Sequence, residues 1–319
     1  PPGDPPVLAD PSAGPRSVMV TSGSPNLLIR GSAPEVAARL GDGLFDLVYL
    51  DPPFGTGTTR RFLRGRGGRF DAGSPGQPSG GRSGSARSGA PAFHDPSEVP
   101  KWLGPTLVQV HRLLRPGGAL FLHADHRQSH RVRLLLEELF GAENFLNEII
   151  WHYATGGIPR QWFARKHDTI LYFRRGPGHT FHRLTQKKYL AHRMCRKGVE
   201  EFRDDGGWYR YRGLDDVWEI PWLTQDSRER TGYPTQKPVA LLERILLAAS
   251  NPGDLVGDFC CGSGTTAVAA CRTRRRWVVA DESDLAVEVT RRRLDALGER
   301  TGSLLGADEH GSYVVQDWR

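Results

Sequence analysis

A chain of 319 residues with 38% hydrophobic content can bury a sizeable core, and it is expected to form one core carrying insertions. Its 43 Lys and Arg against 36 Asp and Glu give a formal net charge of +7, a balance that favours a polyanionic partner without requiring one. Four cysteines, two of them adjacent at Cys260 and Cys261, exclude a disulfide framework and a paired zinc-ligand spacing, while no signal-peptide layout and no apolar run of roughly 20 residues is present, so a cytoplasmic protein with no metal and no membrane partner is expected.

The proline-rich stretch 1–15 reads as a flexible tail outside the fold, leaving 16–319 as the folded domain. The apolar run Asn26 to Ile29 is followed by a helical stretch around Pro34 to Leu40 and then by a strand, Phe45 to Leu50, ending directly on Asp51. From 60 to 92 Gly, Ser and Arg dominate with almost no apolar residues, which predicts a mobile basic loop; a flap tracking nucleic acid and a plain surface insertion are equally consistent with it. A helix from Trp102 to Leu114 stops at Arg115-Pro116-Gly117-Gly118, a strand Ala119 to His123 follows, and a second helix runs from Ser129 to Leu139. Glu148 to Trp151 and Thr169 to Phe173 read as two further strands. Between 174 and 232 the periodicity weakens while Arg, Lys, His, Trp and Tyr become dense, as in Trp208-Tyr209-Arg210-Tyr211-Arg212, so this region is the candidate for a separate binding subdomain, although composition alone favours an ordinary α+β elaboration with solvated charges. Order returns with a helix Val239 to Ser250, a strand Leu255 to Phe259, a glycine loop, a helix Thr265 to Cys271, a strand Trp277 to Ala280 and a helix Asp284 to Leu297. Strands alternating with helices indicate an α/β fold with a mostly parallel central sheet covered on both faces.

Two segments carry chemistry. In Asp258-Phe259-Cys260-Cys261-Gly262-Ser263-Gly264-Thr265-Thr266 small residues lie between a strand and a helix start, so backbone can approach a nucleotide-like ligand at the carboxyl edge of the sheet. The segment lacks the third glycine of a dinucleotide fingerprint and the lysine of a phosphate loop. Asp281, ending the next strand, can accept both hydroxyls of a ribose; a cap on the following helix is its structural alternative. In Asp51-Pro52-Pro53-Phe54, two prolines remove two backbone donors and fix the chain direction, leaving carbonyl acceptors between a carboxylate and an aromatic face. That suits a flat base with an exocyclic NH2: Asp51 and the Pro52 carbonyl accept its hydrogens and Phe54 stacks on the ring. Four residues alone suit a plain Asp-Pro turn equally well.

Taken together, four blocks resemble the amino-methylating DNA methyltransferases of bacterial restriction-modification and orphan systems, in the permuted class whose catalytic tetrapeptide precedes the glycine loop. They are Phe45 to Phe54; Leu113 to Gly118; Asn147 to Trp151 with Lys166-His167-Asp168; and Tyr233-Pro234-Thr235-Gln236-Lys237-Pro238 leading into Asp258 to Thr266. The resemblance spans about Leu28 to Leu297. It implies a Rossmann-like methyltransferase fold with an inserted target-recognition region, and S-adenosylmethionine as cofactor, leaving as S-adenosylhomocysteine. It places that cofactor at Asp258, Phe259, Cys260, Gly262, Gly264 and Thr265, with its ribose on Asp281 and its methionine end on Thr235, Gln236 and Lys237. It assigns the catalytic role toward a flipped base to Asp51, Pro52, Pro53 and Phe54. His152, Tyr153 and the Gly156-Gly157 turn are candidates for lining the base pocket, with a structural role equally open.

The expected substrate is double-stranded DNA, with a homodimer and a separately acting cognate endonuclease as further expected partners. Departures from the family pattern are Cys260-Cys261, where relatives commonly carry Pro and a bulkier residue, and Ser32 after Gly31, where an acidic residue is frequent. In such enzymes an aspartate in the tetrapeptide usually accompanies adenine N6 methylation, so adenine is favoured and cytosine N4 is the alternative. A catalytically silent DNA-binding protein on the same scaffold, and methylation of RNA or of protein glutamine, remain as competing readings.

Overall fold

The structure, a computed structural model, describes residue 20 and residues 24–53, 59–64, 70–72, 92–94, 99–153, 157–195, 197–301 and 313–318. Phe54, Gly156, the 1–15 tail and much of 60–92 lie outside the described residues. The first described elements are β1 (Asn26–Arg30), α1 (Ala33–Arg39) and β2 (Phe45–Leu50). Within the segment read as a loop, β3 (Thr59–Arg64), β4 (Phe70–Ala72) and β5 (Ala92–His94) form a small antiparallel sheet in the order β4-β3-β5. For these residues the loop expectation is corrected: antiparallel ladders pairing Phe62 with Ala72 and Thr59 with His94 satisfy backbone groups without the apolar periodicity on which a sequence reading depends.

The chain continues through α2 (Leu103–Leu113), β6 (Leu114–Ala124), α3 (Ser129–Phe140), β7 (Phe145–His152) and β8 (His167–Arg174). The Arg-Pro-Gly-Gly expected to break the chain is instead the start of β6. Gly117 N–H donates to Arg175 O at 2.7 Å and Arg175 N–H to Gly118 O at 2.8 Å, so the glycines stay in the ladder. Next come β9 (Thr185–Tyr189), β10 (Phe202–Asp204), β11 (Gly207–Gly213) and β12 (Val217–Glu219), then α4 (Val239–Ala249), β13 (Leu255–Asp258), α5 (Thr265–Arg272), β14 (Arg276–Asp281), α6 (Asp284–Thr301) and β15 (Tyr313–Asp317).

Nine strands form the central sheet in the order β12-β7-β8-β6-β2-β13-β14-β1-β15. Within it only β8 runs against its neighbours, β6 and β7; every other pairing is parallel. Alternate residues of β2 feed opposite faces. Val48 and Leu50 join the core beneath α1, α2 and α3, whereas Leu47 and Tyr49 join the one beneath α4 and α5. Each such side chain taken from water contributes about 1.5–3 kcal/mol, so a strand buried on both sides holds its end in a fixed place. This arrangement brings the ends of β1, β2, β6, β7, β12, β13 and β14 to one edge of the sheet, where ligands bind in open α/β sheets. Because β8 is reversed, its first residues, His167 and Asp168, reach that same edge. The region 174–232 contributes a second antiparallel sheet, β10-β11-β9, and the edge strand β12.

Candidate active site

The chain leaves β2 at Asp51, and Pro52 behind it is buried. On the neighbouring strand, β13 ends on Asp258 and turns through the glycine loop. Asp258 itself is buried; it accepts Thr266 Oγ1 at 2.5 Å and the Cys260 N–H at 3.0 Å. Burial pushes its carboxyl up to about 7 against the pull of those two hydrogen bonds. Phe259 packs edge-on to Phe45 with ring centroids 5.8 Å apart, which fixes the loop to the start of β2. The Cys261 N–H reaches Ala280 O at 3.0 Å, and the Gly262 N–H reaches Asp281 Oδ2 at 2.9 Å. Gly262 has φ +52, and a Cβ there would lie 3.0 Å from the Tyr233 ring; Gly264 has φ +73, and a Cβ would meet Thr290 at 2.5 Å. Glycine is required at both places by the turn and by close packing. Burial pushes the Cys260 and Cys261 thiols well above their ordinary range, with the charges of Asp258 and Asp281 adding to the effect. Among the described residues no group of His, Cys, Asp and Glu is arranged to hold a metal.

Asp281 ends β14 with its two carboxylate oxygens on the N–H groups of Gly262 and Ser283, each at 2.9 Å. The second bond tethers the turn into α6, so the structural role weighed for this residue is present. The carboxylate nonetheless lines the cavity, and burial raises its pKa to about 6.

The segment 233–238 closes the site from the side of α4. The Lys237 ammonium pairs with Asp51 Oδ2, with the lysine side chain 10% and the aspartate 18% exposed. Thr265 Oγ1 donates to the Lys237 carbonyl at 3.1 Å, tying the glycine loop to this segment. Gln236 departs from its expected place. Its carboxamide oxygen accepts the Thr231 N–H at 2.7 Å and hydroxyl at 2.8 Å, and its nitrogen donates to Glu229 O at 2.7 Å. It is buried, with its oxygen and one amide hydrogen held within its own loop, and it does not line the cavity.

The carboxyl edge encloses a cavity of about 610 Å³. Of the residues singled out in the sequence, Asp51, Pro52, Pro53, Thr235, Lys237, Asp258, Phe259, Cys260, Gly262, Thr265 and Asp281 line it, as does Tyr153. Gln236, Gly264 and His152 do not. The opposite wall is a polar network in which Tyr49 and Asp168 belong to the four sequence blocks while His123 and Tyr153 do not. His123 Nε2 donates to Asp168 Oδ2 at 3.0 Å, leaving Nδ1 to accept the Tyr49 hydroxyl at 3.3 Å, and the Tyr153 hydroxyl donates to Asp168 Oδ1 at 3.1 Å. Burial works to raise the Asp168 pKa, but the hydrogen bond from His123, the Lys237 charge and the Tyr153 hydroxyl together hold it below the usual carboxylate range. Trp222 stacks on Trp151 at 5.4 Å and tilts against Tyr153 at 5.2 Å, giving this half of the cavity an aromatic surface. A histidine 45 residues from its carboxylate and a lone tryptophan give no local signal; only the reversed β8 brings them together.

The sequence profile of the N6/N4 methyltransferase family, described as DNA methylase, matches residues 45–292. The type II methyltransferase M.HpaI of Haemophilus parainfluenzae is 30% identical over 196 residues, covering 60% of this chain and 57% of that protein. The DNA adenine methyltransferase YhdJ of Escherichia coli strain K12 is 27% identical over 200 residues, covering 61% of this chain and 66% of that protein. The chain therefore spans less than two thirds of the length of these curated relatives. Among solved structures, the M1.HpyAVI–SAM complex aligns with a TM-score of 0.53 and 17% identity over 84% of this chain and 99% of that one, a likeness of fold.

Proposed function

Because the chain belongs to the N6/N4 DNA methylase family, we propose that it transfers a methyl group from S-adenosylmethionine to the exocyclic amino group of a base flipped out of double-stranded DNA. The observation that carries this reading is the meeting, on one cavity, of Asp51-Pro52 at the end of β2 with the glycine loop and Asp281 at the ends of β13 and β14.

The residues fit such a cofactor. Gly262 presents bare backbone, and Asp281 offers a carboxylate with acceptor capacity beyond its two backbone bonds, suited to ribose hydroxyls. When bound, S-adenosylmethionine supplies an electrophilic methyl on a sulfonium. Asp51 accepts one amino hydrogen and the Pro52 carbonyl the other, which aims the nitrogen lone pair and holds it in place; position and charge complementarity then lower the barrier. After transfer the nitrogen carries one proton too many, and Asp51, already accepting that N–H, is placed to take it. Trp222 and Tyr153 provide apolar surface for the base. The neighbouring Tyr49 keeps its hydroxyl proton, since burial and the charges of Asp51, Asp258 and Asp168 push its pKa well above the ordinary value.

The favoured base is adenine, on the aspartate in the tetrapeptide. Digested DNA from a methylated sample should contain N6-methyladenine, and N4-methylcytosine in its place would overturn that choice. Incubation with labelled S-adenosylmethionine should label duplex DNA, and Asp51→Ala should lower transfer by at least about 100-fold, the scale of losing one aimed polar group, while cofactor binding by calorimetry persists. Labelling of RNA or of no nucleic acid would defeat the reading. A bacterial cytoplasmic setting, a homodimer and a separately acting endonuclease belong to the same proposal, the dimer being checked by sedimentation.

A further inference from the structure

Residues 157–166 lie between β7 and β8, and the Tyr153 N–H donates to Lys166 O at 2.8 Å, closing the connection at its base. It carries the two most exposed large apolar side chains among the described residues, Phe163 at 98% and Ile158 at 86%, with Trp162 at 57%. Leaving such side chains in water forgoes about 1.5–3 kcal/mol each, and nothing in the fold of this segment requires them. Their setting is cationic: Arg160, Arg165 and Lys166 flank them, and the Arg165 guanidinium lies 5.9 Å from the Trp162 ring. The segment is also continuous with the cavity. Arg165, His167 and Asp168 line it at one end and Tyr153 at the other, all on the half opposite the glycine loop.

We infer that this segment is a duplex wedge, in which Phe163 enters the base stack at the position the target base vacates while Arg160, Arg165 and Lys166 hold the adjoining phosphates. The inference rests on the proposed function and adds the device that pays for extrusion. Taking a base out of the stack costs a few kcal/mol, and apolar side chains inserted between base steps recover part of that cost. An apolar patch kept in water amid cations suits a partner with both stacked rings and phosphates. A second copy of this basic chain offers like charge in place of phosphate.

The test compares wild type and Phe163→Ala in single-turnover methylation of two duplexes containing the site the wild type modifies. One is fully paired; in the other the target base faces an abasic position, so that extrusion is cheap. Because Phe163 packs against almost nothing, the variant should keep the wild-type melting temperature. The variant should be about 10- to 100-fold slower on the paired duplex, the range for one lost base-aromatic stack, and within about threefold of wild type on the abasic duplex by the same reasoning. Phe163→Trp should restore the paired rate. Equal losses on both duplexes, no loss on either, or dissociation of a dimer by Phe163→Ala would each overturn the wedge. Wild type that methylates neither duplex would instead overturn the methyltransferase reading, and the wedge with it.

Discussion

Lys237 lies with its ammonium against Asp51, although the family resemblance assigns it to the methionine end of the cofactor. The two roles differ in what its removal does. Asp51 is only 18% exposed, and taking away one partner of a largely buried pair leaves the other uncompensated, a cost of about 3–5 kcal/mol in a fully buried setting and less here. Lys237→Met should therefore lower kcat by about 10- to 100-fold, with the KM for S-adenosylmethionine changing by less than about threefold, since an interaction acting on the reacting centre appears in kcat and one acting on cofactor binding alone appears in KM. Steady-state kinetics at saturating DNA separates the two. A rise in cofactor KM with kcat unchanged would return Lys237 to the methionine end. The glycine loop shows the converse: Asp258, read as a cofactor ligand, lines the cavity but holds Thr266 and the Cys260 N–H with one oxygen each, so part of its effect is on the shape of the loop.

At the scale of elements, strands buried on both faces were legible because they are short continuous apolar runs. Phe45 to Leu50 ends directly before Asp51, and that boundary could be read to the residue. The short strands of 174–232 were not legible. Only β11 alternates, Tyr209 and Tyr211 against Arg210 and Arg212, and its aromatic face is completed across strands by Tyr189 and Phe202. β15 owes its existence to parallel pairing with β1, nearly three hundred residues earlier in the chain, through contacts such as Leu28 with Val315. The site followed the same division. Contiguous motifs announced Asp51, Asp258 and Lys237, whereas the His123–Asp168 pair required knowing that β8 runs backwards. β15 also has a functional consequence. The Trp318 N–H donates to Arg30 O at 2.8 Å, and the Trp318 Cβ lies 3.6 Å from where a Cβ on Gly31 would be. Trp318 thus braces the turn whose next residues, Ser32 and Ala33, line the cavity. Trp318→Ala should cost about 3 kcal/mol of stability, the low end for a buried aromatic, read as a shift in urea midpoint at constant slope. It should also weaken cofactor binding several-fold in calorimetry. Loss of stability with intact cofactor affinity would show that β15 supports the core and not the site.

For the whole molecule, the two halves of the cavity respond to pH in opposite directions. Asp168 is held below the usual carboxylate range, so the stability it contributes is present above that range and is lost as pH falls through its lowered value. Asp258 and Asp281 are raised, to about 7 and about 6, chiefly by burial. For these two the folded state binds protons more tightly than the unfolded state, so folding is favoured at low pH and stability declines as pH rises from about 4 to 7. Asp258 is 2% exposed, so solvent screens this effect little. Between pH 5 and pH 8 it should remove roughly 2–3 kcal/mol of unfolding free energy, each tenfold change in proton affinity being worth about 1.4 kcal/mol. Asp258→Asn cannot ionise, and it should flatten the decline by that amount whatever constant offset the altered hydrogen bond to Thr266 introduces. Urea unfolding of both proteins at pH 5, 6, 7 and 8 supplies the comparison. Parallel curves would show that Asp258 does not change charge in this interval, and that its tie to Thr266 outweighs burial.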